Sequence, residues 1–327
     1  MCEVAKQSLC CVGLVMLMLL SACSSNRSAE VVRSGVVFEP EAVEQRPALT
    51  SEEILALKST GEIDRNLPAS AMSDVTKQFR YYLREGRSHM QASVTRAEKY
   101  LPYARGVFRK QRMPEDLAYL AIVESGYRTD AKSHAGAAGA WQFIPGTGKL
   151  YGLHQDTWTD ERMDIYEATE AAATYLKNLH GKFHDWPTAI AAYNAGEGKM
   201  MRAIQGAGAK NFFEVRERND SLPENLQLRD ETKQYVPRFL AVTKIMRNLG
   251  LLNFTTSPSE KTSVARIEAG PATDLKALSK AICMNWGDFC LLNRHHRAYI
   301  PSAAQPTYIY VPEEKKLEAK SFIWRFS

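Results

Sequence analysis

The sequence has no cluster of basic residues. Its 42 Lys and Arg are spread along 327 positions beside 37 Asp and Glu, giving a formal charge of +5. That spread argues against a nucleic-acid surface, and a mild positive excess suits a polyanionic partner without identifying one. Cysteine is scarce past the N-terminus: of six, only Cys283 and Cys290 lie beyond Cys2, Cys10, Cys11 and Cys23. In an oxidising compartment Cys283 and Cys290 can pair; the alternative is two buried free thiols. His295 and His296 follow them, but the spacing matches no zinc template, and no metal or cofactor is expected. Strand signals are nearly missing between residues 73 and 250. With 45% hydrophobic and 24% charged residues, the chain reads as ordinary globular protein, long enough for two modest domains.

The apolar run at residues 12–20 is too short to span a bilayer but fits the core of a secretory signal. Leu20-Ser21-Ala22-Cys23 follows and is similar to a bacterial lipobox, in which the cysteine is acylated and becomes the mature N-terminus. We expect a lipoprotein signal peptide over 1–22 and lipidation at Cys23, each buried methylene contributing about 0.8 kcal/mol to membrane anchoring. The alternative is a plain cleaved signal with Cys23 merely nearby, since Lys6 is offset by Glu3. Ser24 after the cysteine points to the outer membrane, with the body of the protein in the periplasm. Residues 23–70 have mixed polarity, are punctuated by Pro40, Pro47 and Pro68, and read as a tether with at most one short helix near 51–59.

Helical periodicity begins at Ser73, a candidate cap. Val75, Phe79, Tyr82 and Leu83 then share one face, and Gly86 ends the run. A second helix is expected over 90–110, and a third opens at Pro114 with Glu115 and Asp116 in its first turn. Residues 117–123 are apolar all round, so this helix is buried, and Glu124 follows on the face of Leu117, Leu120 and Ala121. A carboxylate there is costly unless paired or neutral. Desolvation raises its pKa and keeps it protonated, as a general acid requires. From the helix alone, a structural Glu paired with an Arg is an equal alternative.

Residues 133–145 come next, rich in Gly and Ala, whose small side chains permit close approach of the backbone. Trp141 and Phe143 flank Gln142, offering rings to sugar faces and an amide to hydroxyl or acetamido groups; a tight turn with core aromatics is the alternative. Helices fit 165–180, 186–193 and 230–249, the last with Pro237 as a kink. From Phe254 the character changes to a small β-α-α-β unit: strands at 264–268 and 307–311, helices at 274–283 and 286–292.

Three ordered blocks carry a resemblance. They are Met113-Pro114-Glu115-Asp116-Leu117 through Val123-Glu124-Ser125-Gly126-Tyr127 to Thr147, then Ala192-Tyr193-Asn194-Ala195-Gly196-Glu197-Gly198, then Asp230-Glu231-Thr232-Lys233-Gln234-Tyr235-Val236-Pro237. Together they resemble the family 1 (Slt-type) lytic transglycosylases, and within them the D-type members. The resemblance implies a mainly α, goose-lysozyme-like catalytic domain over 71–252. It implies cleavage of the β-1,4 bond between N-acetylmuramic acid and N-acetylglucosamine in peptidoglycan strands, without water, leaving 1,6-anhydro ends. Glu124 matches the family's catalytic acid. Ser133, Gln142, Ile144, Thr147, Tyr193, Asn194, Glu231 and Tyr235 match substrate-binding and cleft positions. Most glycosidases use two carboxylates; no second one falls at an obvious partnering place, Glu231 and Asp130 being the nearest candidates. Gly139-Ala140-Trp141-Gln142 departs from the commoner Gly-Leu-Met-Gln, with Ala140 smaller than the usual Leu. Residues 260–315 resemble a degenerate LysM-like unit, whose role is glycan binding or simple packing, and 316–327 read as a tail. The competing readings are a muramidase that uses water on the same fold, and a non-catalytic glycan-binding lipoprotein.

Overall fold

Capping chemistry sets where the helices begin. α1 (Ser51–Lys58) starts at Thr50, whose hydroxyl accepts from the Glu53 N–H while the Glu53 carboxylate accepts from the Thr50 N–H. α2 (Ala69–Leu83) starts about a turn before Ser73, after Pro68, and buries Val75, Phe79, Tyr82 and Leu83 on one face as the spacing predicts. It stops at Leu83, and Gly86 caps the next helix instead. The single helix expected over 90–110 is two, α3 (Arg87–Glu98) and α4 (Leu101–Lys110), with Pro102 in the first turn of α4, where no intrahelical N–H bond is lost. After Pro114 the chain makes a 3₁₀ turn, Glu115–Tyr119, and then α5 (Leu120–Ser125). α6 (Pro145–Leu150) follows the glycine-rich loop. Asp164 caps α7 (Ile165–Phe183), accepting from the N–H groups of Tyr166 at 2.9 Å and Glu167 at 3.2 Å. Asp185 caps α8 (Trp186–Ala195). α9 (Glu197–Ala207) and α10 (Phe212–Glu217) lie where the sequence raised no expectation.

The computed structural model describes residues 48–256, 263–300 and 307–326. The signal segment, Cys23 and the tether up to Pro47 lie outside the described residues. Among the described residues the chain is mainly α, with one two-stranded sheet, and no strand falls between 73 and 250. No described helix is long and apolar enough to cross a membrane.

The spine is α11 (Asp230–Arg247), which packs against α1, α2, α5 and α8. Tyr235, Val236, Phe239, Leu240, Val242 and Ile245 are buried along it, and the helix runs through Pro237 without ending. Residues 48–68 belong to this body, which corrects the expected tether. Ala56 and Ile63 are buried, and the Asp64 side chain is fully enclosed. Its carboxylate accepts from Lys244 Nζ at 2.9 Å and Arg247 Nη1 at 3.1 Å, and Lys244 also donates to the Ser59 carbonyl at 2.7 Å. Burial works against the charge on Asp64, but Lys244, the Gly61 N–H and Arg247 outweigh it and hold the carboxyl below its usual range. Mixed polarity hid this because the partners lie 180 residues away.

The C-terminal unit has its own core of Ala265, Ile267, Leu278, Phe289, Ile309 and Val311. β1 (Val264–Ala269) and β2 (Thr307–Pro312) pair antiparallel with Ile267 opposite Ile309, and α12 (Leu275–Ala281) and α13 (Trp286–Leu292) intervene in sequence. The expected tail is instead α14 (Lys316–Phe326), packed on β1 and α12 with Ala319 buried. Cys283 and Cys290 are free thiols, the first exposed in a left-handed turn after α12 and the second half-buried on α13, so the bridge left open by the sequence is not formed.

Breaking the buried charge pair exposes how firmly residues 48–68 are held. Asp64→Ala is expected to lower the unfolding free energy in a urea titration by on the order of 3 kcal/mol, against under about 1 kcal/mol for Glu115→Ala at the exposed Arg109 pair. Equal, small losses would mean that the segment is only laid against the surface.

Candidate active site

Glu124 sits in the last turn of α5, a helix of six residues closed by Gly126 in the left-handed region at φ 64°. Leu120, Ala121 and Ile122 are buried, so the helix is anchored on its apolar side and delivers Glu124 to an edge. The i+4 relation to Leu120 holds within one α-helix, whereas that to Leu117 crosses the change from the 3₁₀ turn. Glycine at 126 is required twice over: by its φ, and because a Cβ there would lie 2.7 Å from Ser93 Oγ. Ser125 ties this helix end to the glycine-rich loop. Its hydroxyl donates to the Ala140 carbonyl at 2.9 Å and accepts from the Arg128 N–H at 3.0 Å.

The loop over 131–144 is held by its own backbone. The Gly139 N–H donates to the Ala131 carbonyl at 2.8 Å, and the Ala138 N–H to that of Phe143 at 3.0 Å. Gln142 has a positive φ of 49°, and its amide nitrogen donates to the Gly139 carbonyl at 2.7 Å. Its amide oxygen is therefore the end left for a ligand. Ser133 accepts from the Ala137 N–H at 3.0 Å, closing a small turn at the rim.

The opposite wall comes from α8 and α11. The Tyr193 hydroxyl donates to the Trp141 carbonyl at 2.8 Å, and the Thr232 hydroxyl to Asn194 Oδ1 at 2.8 Å. The Tyr235 hydroxyl donates to Glu124 Oε1. Glu124 Oε2 has no hydrogen-bond partner among the described residues. Burial pushes the Glu124 carboxyl up to about 7; the Tyr235 hydroxyl pulls it down, Glu231 adds to the rise, and Arg238 opposes it. Part of the side chain still faces the cleft, yet its surroundings are apolar enough for desolvation to dominate. Burial also pushes the Tyr193 and Tyr235 hydroxyls well above their usual range, with Glu124 adding to both, so each is a neutral donor.

The cleft so formed holds about 740 Å³. Glu124, Ser133, Gln142, Ile144, Thr147, Tyr193, Asn194 and Glu231 all line it, and Tyr235 reaches it through Glu124. Glu231 is exposed on the wall, whereas Asp130 pairs loosely with Arg128 and lies outside the lining. Trp141 is not a sugar platform. It is wholly buried, with its indole N–H donating to Thr169 Oγ1 at 2.9 Å, and only its carbonyl serves the site, through Tyr193. Ala140 is buried as well, and the large neighbouring indole occupies core volume beside it. Tyr175, Lys199 and Arg229 also line the cleft and carry no motif of their own. Lys199 and Arg229 each directly flank a recognised block, the one signal that pointed their way. A separate hollow of about 450 Å³, lined by Glu62, His180, Trp186 and Glu217, shares no residue with this cleft and holds no such carboxyl in an apolar setting.

Residues 106–215 match the family model described as the transglycosylase SLT domain, a span that contains Glu124, Gln142 and Tyr193 but stops short of Glu231 and Tyr235. Over 248 residues, 73% of its length, the chain is 34% identical to membrane-bound lytic murein transglycosylase D of Escherichia coli K12, of which it covers 52%. It is 36% identical over 115 residues to peptidoglycan transglycosylase gp16 of Escherichia phage T7, covering 33% of this chain and 9% of that one. Among solved structures, lytic transglycosylase Slt of Pseudomonas aeruginosa is similar at a TM-score of 0.36 and 23% identity, covering 44% of this chain and 23% of that one. The chain thus spans about half the length of the curated transglycosylase D that it matches. By the family-model match, residues 106–215 of this chain carry a transglycosylase SLT domain.

Proposed function

We propose that this protein is a peptidoglycan lytic transglycosylase that cuts between N-acetylmuramic acid and N-acetylglucosamine and leaves 1,6-anhydro ends. One observation carries the proposal: a single carboxyl, held near pKa 7 by burial, faces a cleft beside the Gln142 amide and Asn194. Protonated Glu124 gives its proton to the glycosidic oxygen as the bond from C1 breaks. The substrate's own acetamide stabilises the oxocarbenium-like transition state, as in substrate-assisted glycosidases. The Glu124 carboxylate then takes the proton of the muramoyl 6-hydroxyl, whose oxygen bonds to C1. The acid is restored and no water enters. Holding the 6-hydroxyl near C1 makes the attack intramolecular, and a well-oriented attack of this kind lowers the barrier by up to roughly 7 kcal/mol. Glu231, exposed and apart from this pair, raises the proton affinity of Glu124 rather than acting as a nucleophile.

In this reading Ser133 and Gln142 contact the sugar and its N-acetyl group, Tyr193 and Asn194 line the cleft beside the acid, Ile144 and Thr147 extend one rim, and Glu231 closes the far wall. Tyr235 keeps the acid oriented and tempers its rise in pKa. The lysozyme-like fold, the LysM-like character of residues 260–315, lipid attachment at Cys23 and outer-membrane residence belong to the same reading. The relative named as membrane-bound supports residence at a membrane, and peptidoglycan strands are the substrate in the periplasm.

Glu124→Gln is expected to abolish release of fragments from purified sacculi, by at least about 10³-fold, with an unchanged melting profile at about pH 4. Products of the parent protein should each weigh one water less than reducing-end fragments. Reducing ends would instead favour a muramidase, and intact sacculi a binding protein. Activity should follow the protonated acid: kcat/KM holds below about pH 7 and falls roughly tenfold per unit above it. Tyr235→Phe removes a donor to the carboxylate and should move that limb to higher pH; a shift downwards would contradict the assignment. Since the folded state raises this carboxyl from 4.5 to about 7, its ionisation costs stability as pH rises through that window. Glu124→Gln should therefore melt higher than the parent at pH 8 and not at pH 4. Finally, Cys23→Ala should move the protein from the membrane pellet to the soluble fraction; retention in the pellet would remove the lipid-anchor assignment.

A further inference from the structure

Arg162 is the charged residue most deeply tied into the glycine-rich loop, and no motif marks it. It lies in a 3₁₀ turn, Glu161–Met163, between α6 and α7 and is 8% exposed. Nη1 donates to two loop carbonyls, Gly136 at 2.7 Å and Phe143 at 3.0 Å. Nε and Nη2 grip the Asp160 carboxylate at 2.9 and 2.8 Å. The Arg162 backbone presses on the loop as well: a Cβ on Gly139, at φ 79°, would lie 1.7 Å from the Arg162 carbonyl oxygen. One residue thus fixes both strands of the loop on either side of Gln142.

The stretch that carries Arg162 is itself held by the C-terminal unit. The Asp160 N–H donates to the His295 carbonyl at 2.8 Å, and the Arg297 N–H donates to the Trp158 carbonyl at 3.0 Å. Thr159 Oγ1 meets His296 Nδ1 at 3.2 Å. On the other side of Arg162, the Tyr310 hydroxyl on β2 donates to Asp164 Oδ2 at 2.9 Å, the Tyr310 ring stacks on Tyr166 at 4.5 Å, and Arg266 on β1 pairs with Glu167. Asp164 is the cap of α7, so its two oxygens serve the helix and the C-terminal unit separately.

We propose that the C-terminal unit is a brace for the substrate loop, acting through Arg162 as a positioning residue. It clamps the 158–164 stretch at both ends, the stretch aims the guanidinium, and the guanidinium sets the height of the Phe143 and Gly136 carbonyls and hence of Gln142. This rests on assigning the Glu124 cleft to the glycan strand. The bidentate geometry matters more than the charge, because a Lys ammonium cannot bridge two carbonyls and a carboxylate in one plane.

The test uses the full chain with Arg162→Lys, Tyr310→Phe and the double variant, each normalised to the folded fraction by thermal melting. Arg162→Lys should lower kcat/KM on sacculi by at least about tenfold, and Tyr310→Phe, which touches no cleft residue, by about threefold. The Glu124 limb of the pH profile should stay in place in both. The double variant should lose clearly less than the product of the two, because both act on one stretch. In the Glu124→Gln background, binding of soluble glycan strands should weaken in the same order. Weaker binding with no anhydro products from the parent would sink the proposed chemistry and leave the brace standing. Unchanged kcat/KM per folded molecule, or multiplicative losses, would overturn the brace. If Arg162→Lys does not fold, Tyr310→Phe alone decides it, since removing one hydroxyl leaves its packing in place.

Discussion

Desolvation of one carboxyl is the constraint around which the rest of the molecule is arranged. Glu124 lies near the end of a six-residue helix whose first three residues are sunk in the core, and a left-handed glycine stops the helix there. An unpaired carboxylate in such a place is strongly disfavoured, and two neutral tyrosine hydroxyls, rather than a cation, stand nearest in its surroundings. Had an arginine been placed against it, the group would ionise at low pH and could not hold a proton in neutral solution. Its single hydroxyl partner comes from α11, which is also the helix that carries the core, so the acid's environment and the stability of the body share one element.

The parts of the site legible in the sequence were those whose chemistry shows in residue type and order. A carboxyl at the end of an all-apolar run, a loop of Gly and Ala around Gln142, and Tyr193-Asn194 ending a small-residue helix each announce an unusual environment. All of them meet in one cleft. Trp141 misled because residue type alone cannot tell a ring that faces a sugar from one that fills the core; its burial was decided by Phe108 and Thr169, distant in sequence. The stretch before α2 misled for a similar reason. Asp64 looks like a solvated charge until Lys244 is brought to it, and no local pattern encodes a partner 180 residues away.

Helix boundaries followed local rules more faithfully than helix types did. Caps at Thr50, Asp164 and Asp185 mark their helices as side-chain chemistry demands. The change from a 3₁₀ turn to an α-helix ahead of Glu124 leaves no trace in periodicity, because buried residues on all sides satisfy either geometry. Arg162 was invisible for a third reason. Asp160-Glu161-Arg162 reads as surface charge, and only the folded loop supplies the carbonyls that make it a clamp.

The span that matches the SLT domain ends at residue 215, yet the hydroxyl on the acid comes from Tyr235, and Arg229, Glu231 and Thr232 line the cleft. A polypeptide trimmed to the matching span would keep its carboxyl and lose the helix that roofs it. Water would reach the group, its proton affinity would drop back toward that of a surface glutamate, and the cleft would be open on one side. The matched span and the full lining of the cleft therefore have different boundaries in this chain.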